Sequence, residues 1–330
     1  MQLKNKFVSV LVLTLTMLVG IFGTNLHSQS EKESTKQLLL GSNALNFLVI
    51  SDWGREGIDD MDKKTPGQLK VAQQFGITAE KINASFVVTC GDNFHGHGVP
   101  TATDSLWKVN YENVYTAKSL NIPWYITLGN HDNEGNVNAE LEYAKTSSRW
   151  IQPSRYYSFT KKLPDANEAL FIVLDSSPFI QEYLTEKNDG HHLKDQNPLK
   201  QLQWCDSVLK TSNAKWKFVF FHHPPYSSSF THGSSYEIRG YFLPMFEKYK
   251  VDACFTGHDH DLQHSHPKNS TLEYFGVGGG SETRPLGHAD FTNYANASLG
   301  FGVVSLAQNT MRFSFVNDKG EQIYTYDINK

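Results

Sequence analysis

A chain of 330 residues, 39% hydrophobic and 13% aromatic, is long enough to bury a sizeable core, which excludes a disordered or fibrous class. Its formal net charge of −4 offers no global basic field, so no nucleic-acid-binding surface is expected. Three cysteines, Cys90, Cys205 and Cys254, are too few for a disulfide scaffold; Cys90 and Cys254, in apolar strand-like runs, read as buried thiols, with one optional disulfide left open.

The chain opens with Lys4 and Lys6, an apolar run from Phe7 to about Phe22, and small polar residues ending near Ser28. That is the layout of a secretory signal peptide over residues 1–28. The run is shorter than the ~20 residues a membrane span needs and no cationic stop follows, so processing is favoured over anchoring. A secreted or periplasmic location without a stable membrane anchor is the expectation, and the mature charge becomes −6 once the two lysines are gone. Residues 29–44 are polar and read as a flexible lead-in, leaving 45–330 as a single domain.

Short runs rich in β-branched and aromatic residues then predict buried strands. They are Phe47–Ser51, Phe86–Thr89, Trp124–Leu128, Leu170–Leu174, Phe218–Phe221 and Val251–Phe255. Helical spacing occupies about 67–83, 104–118, 137–149, 198–210 and 236–249, with Pro244 expected to kink the last. After Gly257, strands at about 273–278, 300–307, 311–317 and 322–327 follow one another without a helix and predict antiparallel strands completing a second sheet. The resulting fold class is α/β, with two packed mixed β-sheets flanked by helices in four α/β/β/α layers. Polar loops at about 176–197 and 279–297 are candidates to border a site.

Nearly every early strand ends in a potential metal ligand: Asp52, Asp92, Asn130, His222, and His258 with His260. Sites in α/β sheets gather beyond the carboxyl ends of strands, so these six side chains can meet in one crevice. One Asp or Asn after a strand is ordinarily a turn former. The set is different, because nine of the fourteen histidines fall in or beside these blocks: His95, His97, His131, His222, His223, His232, His258, His260 and His264. Mixed oxygen and imidazole donors without thiolates suit Fe, Mn or Zn. Two carboxylates, one amide and three imidazoles exceed the needs of one open catalytic ion and suit two ions sharing a carboxylate, the arrangement that clamps the oxygens of a phosphoryl transfer. In Gly257-His-Asp-His260 the histidines at i and i+2 face one side of an extended segment, and Asp259 reads as an orienter of backbone or imidazole.

The blocks Ser51-Asp-Trp-Gly54, Gly91-Asp-Asn-Phe-His95, Gly129-Asn-His-Asp132, His222-His-Pro224 and Gly257-His-Asp-His260 resemble, in order, the motif series of the calcineurin-like metallophosphoesterases. Pro123-Trp-Tyr, Gly135-Asn-Val137, Arg149-Trp150, Pro153-Ser154 and His232-Gly233 extend the likeness to the small tartrate-resistant, or purple, acid phosphatases. The resemblance implies a secreted phosphomonoesterase with two divalent or mixed-valence metal ions and a small phosphate ester as substrate. It places Asp52 and His260 on the first metal, Asp92 as the bridge, and Asn130, His222 and His258 on the second. A hydroxide bridging the metals would attack phosphorus in line, with His131 and His232 contacting phosphate and protonating the leaving alkoxide. Asp132 would orient His131.

One departure stands out: His95 occupies the position of the family's tyrosinate ligand. Imidazole does not favour ferric iron or give the purple colour as tyrosinate does. His95 is therefore a candidate metal ligand, a candidate phosphate contact as in diesterase and nuclease relatives, or a plain loop residue beside Gly96. A phosphodiesterase, and a non-catalytic protein binding metal or phosphate on the same scaffold, are the competing functions. Gly278-Gly-Gly280 is a weak signal for backbone approaching a phosphate, and Asn83, Asn269 and Asn296 fit the N-glycosylation sequon.

Overall fold

The computed structural model describes residues 38–41, 43–55, 67–185 and 192–330, so the expected signal peptide and residues 186–191 of the 176–197 loop lie outside the described residues. Fourteen strands form two seven-stranded mixed sheets. The first has the order β14-β13-β12-β1-β2-β3-β4, built from β1 (Leu45–Ile50), β2 (Val87–Thr89), β3 (Trp124–Tyr125), β4 (Trp150–Ile151), β12 (Gly300–Leu306), β13 (Thr310–Asn317) and β14 (Gln322–Asn329). The second has the order β11-β9-β10-β8-β7-β6-β5, from β5 (Tyr157–Lys162), β6 (Glu168–Val173), β7 (Trp216–Phe220), β8 (Ala253–Thr256), β9 (Leu262–Ser265), β10 (Glu273–Val277) and β11 (Thr292–Asn296).

Period-2 alternation builds the layers. In β1, Phe47 and Val49 face the space between the sheets, while Leu48 and Ile50 face the outer helix α1 (Gln68–Lys81). The inter-sheet seam is aromatic: Phe47 stacks on Phe86 at 4.9 Å and meets Phe171 edge-on at 5.4 Å. Each such buried ring contributes roughly 1.5–3 kcal/mol by removal from water. On the outer face of the second sheet, Leu170, Ile172, Val219 and Cys254 pack beneath α4 (Pro198–Thr211) and α5 (Tyr236–Lys248). Between α1 and those helices in sequence lie α2 (Asn130–Glu134) and α3 (Val137–Ala144).

Several expectations are corrected. The strands after Gly257 do not all complete a second sheet: β12 pairs antiparallel with β1, so β12, β13 and β14 extend the first sheet, and β10 runs parallel to β8 in the other. The region expected as a helix over 104–118 holds a π-helical turn, Trp107–Glu112, then a 3₁₀ turn, Lys118–Leu120, because Trp107, Tyr111 and Tyr115 are drawn into the aromatic cluster around Trp53. α3 stops at Ala144, where Ser147 Oγ accepts the amides of Arg149 and Trp150 and turns the chain into β4. α5 continues through Pro244 without ending. At the other end of the domain, Leu38 is buried in the α1 layer and the Leu40 amide donates to Ser305 Oγ at 3.0 Å, so packing begins ahead of β1. All three cysteines are buried and free. No described helix is long and apolar enough to cross a membrane.

Candidate metal centre

β1, β2 and β3 run parallel in one sheet and β6, β7 and β8 run parallel in the other, and the candidate ligands leave the carboxyl ends of β1, β2, β3, β7 and β8. Two of the connecting turns are anchored from behind. Trp53, beside Asp52, is fully buried against Tyr115, Trp124 and Trp150, and Phe94, two residues past Asp92, packs on Trp107 at 4.8 Å. The backbone at Asp52, Asp92 and His258 lies in the left-handed region, at φ 56°, 49° and 70°. Glycine is required at Gly129, where a Cβ would lie 2.1 Å from Asp92 Oδ1.

Asp52, Asp92, Asn130, His222, His258 and His260 are all buried, and the five other than Asn130 fall in linked groups of donors in one crevice. Three groups of donors lie mutually within 4.8 Å: Asp52, His95 and His260; Asp92, His95 and His131; and Asp92, His222 and His258. Asp52 Oδ1 is 3.3 Å from His260 Nε2 and 3.9 Å from His95 Nε2, which is 3.8 Å from Asp92 Oδ2. His222 Nδ1 donates to the Cys90 carbonyl at 2.8 Å, which leaves its Nε2 facing Asp92 Oδ2 and His258 Nδ1, each at 3.2 Å. Support comes from the end of β6, where Ser176 Oγ accepts the amides of His222 and His223.

These donors fit a cation. Asp52 Oδ1, Asn130 Oδ1 and both ring nitrogens of His95, one of them an acceptor in the neutral ring, are buried without a hydrogen-bond partner, and each unmatched acceptor costs about 1–3 kcal/mol unless something positive satisfies it. Burial holds the pKa of His95 and of His258 well below the ordinary imidazole range, keeping both neutral as metal ligation requires. Burial also works to lower His222, but Asp92 overrides it and lifts the imidazole to about 9, so the carboxylate draws positive charge to that spot.

Around the crevice, His131 Nδ1 donates to the Gly96 carbonyl at 2.8 Å and the His131 amide to Asp92 Oδ1 at 3.0 Å. His232 sits exposed at the mouth, stacked on His258 at 4.0 Å. The expected contact of Asp132 with His131 is not formed. The Asp132 carboxylate instead accepts the amides of Asn93, Phe94 and Gly129 at 2.8–3.1 Å, tying the Asp92 turn to the Asn130 turn. Asp259 Oδ1 accepts the His232 amide at 3.3 Å, a backbone-orienting role as expected. His97, 80% exposed, pairs with Glu134 outside the crevice. His264 belongs to a separate cluster, because its side chain points between the sheets toward Glu273 and Tyr324. The glycine run approaches protein backbone: a Cβ on Gly278 would meet the Asp259 carbonyl at 2.1 Å.

Sequence reasoning missed three residues here. Arg55 pairs with Glu282 at 2.6 Å, Glu282 lies 3.7 Å from His260 Nδ1, and Arg284 Nη1 donates to His232 Nε2 at 2.7 Å. The available signal was the polar stretch Ser281-Glu-Thr-Arg284 directly after the glycine run.

The group of Asp52, His95 and His260 shares His95 with the group of Asp92, His95 and His131, which shares Asp92 with the group of Asp92, His222 and His258; such a chain of donors beyond the carboxyl ends of parallel strands suits a metal-dependent phosphoesterase centre. The chain belongs to the calcineurin-like phosphoesterase family, whose model matches residues 45–262, and it is a metal-dependent phosphatase of the purple acid phosphatase group. It is 32% identical over 300 residues to purple acid phosphatase 4 of Arabidopsis thaliana, covering 87% of this chain and 84% of that one. It is 29% identical over 300 residues to tartrate-resistant acid phosphatase type 5 of Sus scrofa, covering 85% of each. Among solved structures, GAP50, the anchor in the inner membrane complex of Plasmodium, aligns with a TM-score of 0.75 at 27% identity, over 87% of this chain and 89% of that one. A purple acid phosphatase from yellow lupin (Lupinus luteus) seeds shares the fold with a TM-score of 0.64 at 13% identity, over 88% of this chain and 54% of that one.

Proposed function

We propose that the protein is an exported phosphomonoesterase whose two-metal centre is held by Asp52, His95 and His260 on one side, by Asn130, His222 and His258 on the other, and by Asp92 between them. The observation that carries this reading is the linked series of donor groups, in which His95 joins Asp52 and His260 to Asp92 and Asp92 joins His222 and His258, with the Oδ1 atoms of Asp52 and Asn130 buried without a protein partner. When bound, such an ion pair neutralises phosphate charge and makes water nucleophilic near neutral pH. The chain's own groups supply the rest. Asp132 and Ser176 hold the ligand turns in register, and burial keeps His95 and His258 unprotonated. His131, fixed through Nδ1 by the Gly96 carbonyl, presents Nε2 as the proton donor to the leaving oxygen. His232 lines the mouth with its proton on Nδ1, since Nε2 accepts from Arg284.

The placement of His95 beside Asp52 and His260 supports metal ligation over a loop role. An all-imidazole and carboxylate first site favours Zn, Mn or ferrous iron over a coloured ferric ion. His95 also motivates a second reading, phosphodiester hydrolysis, and the likeness to GAP50 motivates a non-catalytic one. Comparing an aryl phosphate with its bis-aryl diester on metal-loaded protein decides among them: the monoester is expected to be hydrolysed faster, strong diester preference overturns the leading reading, and no turnover of either supports the non-catalytic one. Export rests on Lys4, Lys6 and the apolar run to Phe22, and amino-terminal sequencing of the exported protein is expected to begin near residue 29.

A further inference from the structure

We infer that Arg284 is a specificity residue that grips a second anionic group, phosphate or carboxylate, on the leaving portion of the substrate. This rests on the phosphatase reading above and adds the class of ester preferred.

The inference starts from how two loops close over the mouth. The loop carrying His232 and the loop carrying Arg284 are zipped together by a bridge between Ser229 and Leu286, by the Gly287 amide donating to the Ser228 carbonyl at 2.7 Å, and by the Phe230 amide donating to the Pro285 carbonyl at 3.4 Å. The Arg284 amide donates to the His260 carbonyl at 2.9 Å, so its backbone is fastened directly to a candidate ligand. The guanidinium is thereby fixed beside His232, which stacks on His258.

Charge is left over in this arrangement. Of the carboxylates nearby, Glu282 is matched to Arg55 at 2.6 Å and Asp259 Oδ1 accepts the His232 amide, whereas Arg284, among the described residues, forms no salt bridge. Its hydrogen bond goes to a neutral ring nitrogen, which uses one of five N–H donors and cancels none of its charge. A partly exposed, unpaired guanidinium of fixed position, one imidazole away from the candidate second metal, is a fork for an oxyanion. The reacting phosphoryl group belongs to the metals, so the anion that reaches Arg284 is the next one along the substrate. For a diphosphate such as ADP, the water oxygen bonds to the terminal phosphorus and the bridging P–O bond breaks. Its electron pair departs with AMP, and the proton lost by water is released to solvent or passed to the departing oxygen. AMP keeps the phosphate that Arg284 grips.

The test compares three substrates on metal-loaded wild type and Arg284→Ala: phenyl phosphate, carboxyphenyl phosphate and ADP. Losing a charge-assisted hydrogen bond is expected to raise KM for the doubly anionic substrates roughly tenfold or more relative to KM for phenyl phosphate. A shift for ADP alone assigns the site to phosphate, and one for carboxyphenyl phosphate alone assigns it to carboxylate. A loss of kcat shared equally by all three, or an unchanged KM ratio, overturns the inference and makes Arg284 a positioning residue for His232. Calorimetric binding of phosphate and methylenediphosphonate gives a readout without turnover. If no substrate is hydrolysed, the phosphatase reading fails, while Arg284-dependent preference for the diphosphonate still decides this one.

Discussion

Two clusters of histidine and carboxylate, one in the crevice and one between the sheets, are opposites. In the crevice, candidate ligand atoms of Asp52, His95 and Asn130 are buried and unmatched. Between the sheets, both carboxylate oxygens of Glu273 and both ring nitrogens of His264 are answered. His264 Nε2 and His266 Nδ1 reach Glu273 Oε2 at 2.8 and 2.9 Å, the Tyr326 hydroxyl donates to Glu273 Oε1 at 3.0 Å, and Tyr324 meets His264 Nδ1 at 2.7 Å. The candidate metal groups among the described residues all fall in the crevice. What marks a metal site is therefore unsatisfied lone pairs converging on a point, and composition alone does not separate it from a polar clamp joining two sheets.

Four substitutions, taken from the largest expected effect to the smallest, press on that contrast. Asp92→Asn removes the shared carboxylate, and kcat/KM is expected to fall by ~10³ or more with both metals depleted in elemental analysis. His258→Ala is expected to cost ~10²–10³ in kcat/KM and to empty one site while the other keeps its ion; full activity with two ions per chain would overturn the assignment. His95→Tyr, loaded with iron, is expected to gain an intense visible band that wild type lacks; a band already present in iron-loaded wild type would contradict the reading of His95. Glu273→Gln is expected to lower stability by about 1–3 kcal/mol in urea melts and to leave the metal content untouched.

The smallest effect is in pH dependence. Burial alone would raise the Glu273 pKa, but its bonds to His264 outweigh burial and hold it below the ordinary value. A carboxylate depressed in the folded state stabilises above its unfolded pKa of ~4.3, and that stability is lost as pH falls through the folded value. Wild type should thus lose melting temperature more steeply than Glu273→Gln as pH drops below about 4.3. An equal slope would show that the cluster carries no net charge-linked stability.

The crevice was legible because each ligand follows a recognisable strand and most stand in a short glycine-marked block, as in Gly91-Asp92 and Gly129-Asn130. His264 was grouped with it only because it follows His260 closely. Strand alternation sends its side chain into the inter-sheet seam, and that depends on a register no local signal states. The sheet membership of β12 was hidden for the same reason: its antiparallel partner β1 lies some 250 residues earlier, and pattern alone does not choose between two apolar sheets. Arg284 was illegible because its neighbour His232 comes from a separate loop, and the bridge joining the loops is a single pair of residues.

The positive φ at Asp52, Asp92 and His258 changes how any alanine scan of this centre should be interpreted. Asp, Asn and His tolerate that conformation better than most residues, whereas alanine adds a backbone penalty of ~1–2 kcal/mol on top of any lost ligation. An alanine variant at these positions mixes two defects, a missing ligand and a turn that resists its shape. Asparagine at Asp52 or Asp92 keeps the turn and removes the charge, so the gap in stability between the Asn and Ala variants of the metal-free protein measures how much the architecture invested in bending the chain where the metals sit.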